Sequence, residues 1–271
     1  CLLLYFLVDE FGRGDALRHR LKVALIVLIV VFTVFLPSLK LVALRQQMGP
    51  ASYSHDGGVI QTEATIDYLL AGKNPYIEDY LNTPMAEWGI NEFRTALYHY
   101  PYLPWTFLFS APFRLLSDAL FGWYDQRFVY LLLFALTLAL LPRLARTRER
   151  ALLLLMVIGL NPIMGSDLIY GQNDSFILAW IVLSLWLWER SRAALRDARS
   201  PRPWQIASAA VFGLACAGKP TAWFLAPFYL LWIVGSEPRS FAIWAREAVR
   251  LGWPALVSAL LVIGPYLLWN P

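Results

Sequence analysis

A polar run at positions 54–58 (Ser-His-Asp-Gly-Gly) carries the residues best suited to acid–base chemistry. Glu63 and Asp67 follow at helical spacing, so a helix that begins just after Asp56 would bring three carboxylates near one face. Such a cluster could act as a general base toward a substrate hydroxyl, with Asp56 as the catalytic group and His55 and Glu63 beside it. The alternatives are that Asp56 is a helix N-cap and that Glu63 and Asp67 form a solvated face.

A second polar run occupies positions 165–174 (Gly-Ser-Asp-Leu-Ile-Tyr-Gly-Gln-Asn-Asp), between two apolar runs. Polar groups at the rim between two membrane spans are costly unless they have partners or water. Asp167, Asn173 and Asp174 are therefore candidate substrate-binding residues. The alternative is that Asn173 or Asp174 only caps the helix that follows.

Lys219 is a positive charge in the middle of the apolar run 206–234. Gly218 and Pro220 interrupt the helix at this point and predict two short helices that meet at Lys219. A cation placed there could hold a lipid phosphate near the membrane interface. The alternative is that the side chain only reaches out to the lipid headgroups.

His99 begins an aromatic rim at positions 98–102 that could stack on a substrate ring, although such rims usually anchor a protein at the membrane interface. The three histidines of the chain lie far apart, so no zinc pattern is present. The sequence signatures of nucleotide and dinucleotide binding are also missing. We therefore expect neither a metal nor a cofactor.

The elements that position these residues must be membrane helices. Hydrophobic residues make up 58% of the 271 residues, charged residues make up 15%, and the mean hydropathy is +0.51. A soluble globule cannot hide so much apolar surface, whereas a bilayer requires about 20 apolar residues per helix. We predict an all-α, polytopic transmembrane helical bundle, because backbone in lipid must be satisfied within its own segment. The apolar runs are 23–39, 128–141, 151–163, 176–188, 206–234 and 251–269.

Four short basic tracts lie beside the apolar runs, at positions 13–22, 143–150, 190–202 and 239–250. This arrangement indicates orientation in a membrane and argues against nucleic acid as a partner; by the positive-inside rule all four tracts face the cytoplasm. The polar stretch 45–100 then forms a long loop on the non-cytoplasmic side. Within it we predict a helix from Gly57 to Ala71, lying along the membrane surface.

Two further segments follow from the same orientation. The break from Asn161 to Asp174 is predicted to be a hairpin tip on the side of the long loop. The stretch from Pro101 to Leu120 is apolar and about long enough to cross the membrane. If both this stretch and the run 128–141 crossed, the basic tract 143–150 would lie on the wrong side. If only one of them crosses, the other is re-entrant or lies along the membrane, and the sequence leaves open whether the stretch 101–120 crosses.

Several short motifs resemble those of the GT-C membrane glycosyltransferases, in particular the bacterial branch that includes polyprenol-phosphate-mannose-dependent mannosyltransferases. The resemblance runs from about Lys22 to Val234. The motifs that carry it lie at 54–63 (SHDGGVIQTE), 69–76 (LLAGKNPY), 100–104 (YPYLP), 171–174 (GQND), and 219–220 with the apolar segment 225–231.

This resemblance implies transfer of a hexose such as mannose, with inversion, from a polyprenol-phosphate donor to an envelope glycan or lipid acceptor. The reaction would take place on the outer face of a bacterial plasma membrane. Asp56 matches the acidic residue that acts as the base in the family, while Lys219 or Arg94 would meet the leaving phosphate. The chain lacks a second acidic residue directly beside Asp56, which many relatives have.

Two alternatives from other classes are a transporter or flippase-like protein for an anionic or lipid-linked substrate, and an inactive structural partner in an envelope complex. We expect a single transmembrane domain over residues 1–271, with the loop at 45–100 carrying the candidate base. Because residue 1 is Cys and apolar segments reach both ends, we expect the chain to be a fragment of a longer protein.

Overall fold

The computed structural model describes residues 2–12, 14–54, 58–88, 95–235 and 240–269. All long regular elements in these ranges are helices, which confirms the predicted all-α class. The helices are α1 (Leu2–Phe11), α2 (Asp15–Met48), α3 (Ile60–Leu70), α4 (Trp105–Phe121), α5 (Arg127–Leu140), α6 (Arg148–Gly159), α7 (Pro162–Tyr170), α8 (Asp174–Arg196), α9 (Arg202–Cys216), α10 (Ala226–Val234) and α11 (Phe241–Trp269).

Three helical segments of the described chain are long and apolar enough to cross a membrane: α2, α5 with the 3₁₀ turn that follows it to Leu144, and α11. Helices α6 and α7 meet at an angle of 47° and count as a fourth span if the bent pair is taken as one. The protein is therefore an integral membrane protein with several spans, as the composition predicts.

Helix α2 contains one π turn, at Val31–Phe35, where the N–H of Leu36 bonds to the carbonyl of Val31 five residues earlier. Pro37 explains this turn, because proline has no N–H to donate and its ring collides with the carbonyl four residues before it. The helix continues as a single rod to Met48 and brings Arg45 to the end of the bundle where the long loop begins.

Helices α8, α9 and α11 form one side of the bundle. The Ser184 hydroxyl of α8 donates to the Ser208 carbonyl of α9 at 2.9 Å. Helix α9 meets α11 at Gly213, where a Cβ atom would stand 2.1 Å from the Ala255 carbonyl oxygen. Small residues and hydroxyls thus allow the close packing that is typical of membrane helices.

The basic tracts lie at one end of this bundle, hereafter the basic end. Ile26, just after the first tract, packs against Leu152, just after the second. The second and third tracts share a cavity of about 680 Å³, and the third and fourth share a smaller one lined by Arg202 and Arg250. The described members of these tracts thus lie at the same end of the bundle.

The stretch from Pro101 to Leu120 does not cross the bundle. At the start of α4, the Trp105 N–H donates to the Ala217 carbonyl at 3.0 Å, and near its end Arg114 pairs with Asp67 of α3 at 3.3 Å. Both contacts lie at the end opposite the basic tracts, because Ala217 is at the far end of α9. This arrangement leaves α5 as the crossing helix and returns the tract 143–150 to the basic end.

The helix in the long loop differs from the prediction in its surroundings. It runs from Ile60 to Leu70, and every residue from Ile60 to Ile66 is buried. Seven consecutive buried residues cover all sides of a helix with 3.6 residues per turn. The predicted placement along the membrane surface is therefore wrong, and α3 is enclosed by protein, mainly by α4.

The predicted hairpin tip is shorter than expected. Asn161 caps α7, because its side-chain oxygen accepts from the N–H groups of Ile163 and Met164. The Asn161-Pro162 break is thus the bend within a paired span, and the tip itself is reduced to the residues between Tyr170 and Asp174. The break at Lys219 is confirmed: α9 ends at Cys216, and a 3₁₀ turn (Pro220–Leu225) leads into α10.

Candidate functional site

Four buried charged residues tie the long loop to the bundle at the end opposite the basic tracts. The Arg45 guanidinium donates two hydrogen bonds to the Glu63 carboxylate, of 2.9 and 2.6 Å, and a third to Asp125 at 2.9 Å. Asp125 in turn accepts from Arg127 at 2.9 and 2.8 Å. Two positive and two negative charges are thus paired, as buried charges require.

Arg127 of this network and Tyr130, which follows it in α5, hold the backbone on either side of the candidate catalytic loop. Arg127 donates to the Tyr53 carbonyl at 2.9 Å, and the Tyr130 hydroxyl donates to the Gly58 carbonyl at 2.5 Å. His55 and Asp56 lie between these two anchors, outside the residues that the structure describes. Arg94 also lies outside them.

Gly58 packs directly on the tip between α7 and α8. A Cβ atom at Gly58 would stand 2.3 Å from the Gly171 carbonyl oxygen, and one at Gly171 would stand 2.1 Å from a methyl carbon of Val59. Gly171 also has a φ of +84°, which favours glycine. The loop and the tip therefore meet through two glycines: a side chain at Gly58 would displace backbone, and one at Gly171 would displace the Val59 side chain and adopt a strained φ.

The same tip is bonded to the break between α9 and α10. The Lys219 ammonium donates to Asn173 Oδ1 at 3.0 Å and to Asp174 Oδ1 at 2.5 Å, and it lies 5.6 Å from the centre of the Tyr102 ring. Three predicted site residues, Asn173, Asp174 and Lys219, are therefore in direct contact although 45 residues separate them in sequence.

Lys219 lies beside the N-terminus of a long helix. The N-terminus of α8, a helix of 23 residues, begins at Asp174 and carries the positive end of its dipole there. The Asn173 side chain is buried, and its Nδ2 group finds no hydrogen-bond partner in the described part of the chain. The Ser175 hydroxyl is also buried and also finds no hydrogen-bond partner among the described residues. The lysine, the helix N-terminus and the Asn173 side chain thus lie together, and the Asp174 carboxylate is one anionic partner of the lysine.

The remaining predicted residues occupy different places. Glu63 belongs to the buried charge network, so its predicted alternative of a solvated face is wrong. Asp167 is buried in α7, one helical turn before the tip, and takes part in interactions there. His99 has an exposed side chain, and its carbonyl accepts from Gln61 at 2.8 Å. Asp67 is exposed and pairs with Arg114.

An aromatic cluster links the Lys219 site to α3. Tyr102 contacts Tyr100 with ring centres 5.3 Å apart, and Tyr100 contacts Phe107 at 5.7 Å. The Tyr100 hydroxyl lies 3.2 Å from the Thr62 hydroxyl of α3. Within the predicted aromatic rim, Tyr100 is therefore interior packing that joins α3 to the region of the Lys219 break, whereas Tyr98 and His99 are exposed.

Sequence reasoning missed Arg45, Asp125 and Arg127, which position the loop. A local signal was present: Asp125-Gln126-Arg127 stands directly before an apolar run, where charged residues are expensive unless paired. The partners could not be identified, because Arg45 and Glu63 are distant in sequence. In the described residues, no three His, Cys, Asp or Glu side chains lie close enough together to hold a metal ion.

An apolar groove of about 460 Å³ starts beside the Lys219 break and runs between α9, α10 and α11. Cys216 and Trp223 line its near end, where the Trp223 indole N–H donates to the Cys216 carbonyl at 2.8 Å. Leu256 and Leu260 of α11 line the groove further along. A charged site therefore adjoins a groove that suits a hydrocarbon chain.

The fold and this site together define a polytopic membrane protein in which a partly buried lysine contact, a helix N-terminus and an apolar groove adjoin at one end of the helical bundle. Residues 70–235 match the model of the MptA_B family, described as the N-terminal domain of alpha-(1->6)-mannopyranosyltransferase. The match covers more than half of the chain, and the chain belongs to this family. Neither the curated proteins nor the solved structures give a match.

The family membership supports glycosyl transfer as the activity and implies a sugar donor and an acceptor. The matched residues include His99, Asp167, the Asn173-Asp174 pair and Lys219, whereas His55, Asp56 and Glu63 precede the matched region. The family match therefore bears on the half of the site around Lys219.

Proposed function

We propose that the protein transfers a hexose, mannose, from a polyprenol-phosphate donor to a hydroxyl group of an envelope glycan or lipid, within a GT-C type of architecture. Family membership supports mannosyl transfer. The single observation that favours a lipid-phosphate donor is the Lys219 site, where a cation, a helix N-terminus and buried unpartnered polar groups adjoin an apolar groove.

The phosphate of the donor binds at Lys219 in this proposal. An ammonium group has three donors, and Asn173 and Asp174 accept two of them. The third remains for a phosphate oxygen, with the Asn173 amide and the N-terminus of α8 as further donors. As the sugar leaves, charge builds up on this phosphate, and donors already in place stabilise it most.

The polyprenyl chain lies in the apolar groove between α9, α10 and α11. The groove begins within a few residues of Lys219, so a phosphate at the lysine and a chain in the groove are compatible in one molecule. Burial of each CH₂ group contributes about 0.8 kcal/mol, so even a short stretch of chain would hold the donor firmly.

Asp56 acts as the general base. Its carboxylate takes the proton of the acceptor hydroxyl while that oxygen attacks the anomeric carbon. The bond between the anomeric carbon and the phosphate oxygen breaks, and its electron pair leaves with the lipid phosphate. The anchors at Tyr53 and Gly58, and the contact of Gly58 with Gly171, support this assignment because they bring the loop to the tip that Lys219 contacts.

The reaction takes place on the non-cytoplasmic face of a bacterial plasma membrane. The basic tracts lie at the opposite end of the bundle, and the positive-inside rule assigns that end to the cytoplasm. The donor would then be used after its transfer across the membrane, which suits a lipid-linked sugar.

The donor assignment is tested by replacing Lys219 with Gln. We expect kcat/KM for transfer from polyprenol-phosphate mannose to fall by about 10²–10³-fold, because one preorganised donor to the leaving phosphate is lost. The assay uses purified protein in lipid nanodiscs with a radiolabelled donor, and GDP-mannose as the competing donor type.

Lys73→Gln is the matched control, since Lys73 is an exposed lysine that pairs with Glu78 at 3.1 Å. This control should keep the wild-type rate. Wild-type activity in Lys219→Gln, or transfer from GDP-mannose in preference to the lipid donor, would contradict the proposal.

A further inference from the structure

A cleft of about 500 Å³ lies at the loop end of the bundle, on the opposite side of α3 from the aromatic cluster. Its size falls within the usual range of small-ligand sites, roughly 300–1,000 Å³. Ile60, Ala64 and Asp67 of α3 line one wall, and Arg114 and Asp118 of α4 line the facing wall. None of the features described for the Lys219 site uses this cleft.

The polar groups of the cleft are held in place by one another. Arg114 donates to Asp118 at 2.9 Å and lies 3.3 Å from Asp67. Both carboxylates line the cleft and remain partly exposed. Burial raises the pKa of Asp67, while the Arg114 charge acts in the opposite direction. Such a set offers both hydrogen-bond donors and acceptors at fixed positions.

Aromatic side chains supply the apolar part of the cleft. Tyr68, Trp123 and Tyr124 line it, and Arg114 lies 5.6 Å above the Tyr124 ring. Asn82 adds an exposed amide at the rim. Flat rings beside paired carboxylates, an arginine and an amide suit a neutral molecule that has both apolar faces and many hydroxyls.

We propose that this cleft binds the glycan acceptor, with a pyranose face on Trp123 and hydroxyls hydrogen-bonded to Asp67, Asp118 and Arg114. This inference rests on the proposed function. A charged ligand fits less well, because the two arginines and three carboxylates that line the cleft are largely paired with one another. The start of α3 at Ile60 lines the cleft, and Asp56 precedes it by four residues in the sequence.

The first measurement is the binding of an α-(1→6)-linked manno-oligosaccharide to Asp56→Asn protein without the lipid donor, so that no transfer takes place. We expect Asp67→Asn and Trp123→Ala, each placed in that background, to raise the Kd by about tenfold, or 1.4 kcal/mol. Asp197→Asn is the control, because Asp197 is also an exposed carboxylate paired with an arginine, but it lies by the basic end. Thermal unfolding checks that each variant is folded.

The second measurement is steady-state transfer by the same variants with Asp56 intact. We expect the KM for the acceptor to rise about tenfold while the KM for the lipid donor stays unchanged. Unchanged oligosaccharide binding and unchanged acceptor KM in both variants would overturn the cleft as the acceptor site while leaving the proposed function standing. If oligosaccharide binding depends on Asp67 and Trp123 but the wild-type protein shows no transferase activity, the cleft is supported as a glycan site and the proposed function is contradicted. Absence of oligosaccharide binding to folded protein would overturn the inference.

Discussion

Asp56→Asn protein should transfer mannose about 10²–10⁴-fold more slowly than the wild type, with an unchanged Kd for the lipid donor. Asparagine has nearly the same shape as aspartate but cannot accept the proton of the acceptor hydroxyl. The donor binds through Lys219 and the apolar groove in our proposal, so its affinity should not depend on this carboxylate. The measurement is kcat with saturating polyprenol-phosphate mannose, together with direct donor binding.

The matched control for this prediction is Asp79→Asn. Asp79 is exposed in the same long loop, and its Oδ1 accepts from the Leu81 N–H at 3.1 Å, a bond that an asparagine oxygen can keep. This variant should retain wild-type kcat. If Asp56→Asn transferred mannose at the wild-type rate, Asp56 would not be the base. A wild-type protein that moved the lipid-linked sugar across a membrane without transferring it would favour the transporter alternative.

Asp125→Ala should lower the free energy of unfolding by about 3–5 kcal/mol, because it leaves two buried arginines with one carboxylate between them. Arg45 would keep Glu63 as a partner, whereas Arg127 would lose three hydrogen bonds to Asp125, two from its side chain and one from its backbone N–H. Arg127 also holds the Tyr53 carbonyl, so the candidate catalytic loop should loosen in the same variant. Thermal unfolding in detergent, with the protein concentration held constant, measures the change.

Asp197→Ala is the control for stability, since Asp197 forms an exposed pair with Arg199. Exposed pairs contribute about 0–1 kcal/mol, so the control should unfold at nearly the wild-type temperature. Equal losses in the two variants would contradict a stabilising role for the buried network.

The same network predicts how stability changes with pH. Burial alone would raise the pKa of Asp125, but hydrogen bonds and charge from Arg127 and Arg45 hold it below its ordinary value. A carboxyl with a lowered pKa in the folded state stabilises the protein above its unfolded pKa of about 3.9. That contribution disappears as the pH falls through the folded value. As the pH is lowered from 5, the free energy of unfolding should therefore fall more for the wild type than for Asp125→Ala.

The sequence predicted those parts of the structure that local patterns determine. The break at Lys219 follows from a cation flanked by Gly218 and Pro220 within an apolar run, and the structure confirms it. The common end of the basic tracts follows from their alternation with apolar runs. The helix in the long loop was predicted at about the right place, yet its surroundings were not, because enclosure by α4 depends on distant segments.

Other features depend on contacts that no local pattern encodes. The hydrogen bonds of Lys219 to Asn173 and Asp174 join two helix breaks that are distant in sequence. The sequence could predict each break, but not that the two are in contact. The charge network was overlooked because Glu63 and Arg45 look like ordinary solvated residues in sequence. For the stretch from Pro101 to Leu120, length and hydropathy were compatible with crossing, and the bonds of its two ends decided the question.

The configuration of the product tests the central claim most directly. Purified protein is given β-linked polyprenol-phosphate mannose and a manno-oligosaccharide acceptor, and the new linkage is identified by NMR. A base that activates the acceptor for direct displacement inverts the anomeric carbon, so the account predicts an α-linked mannose. A β-linked product would contradict it, because retention requires a carboxylate that attacks the sugar as a nucleophile.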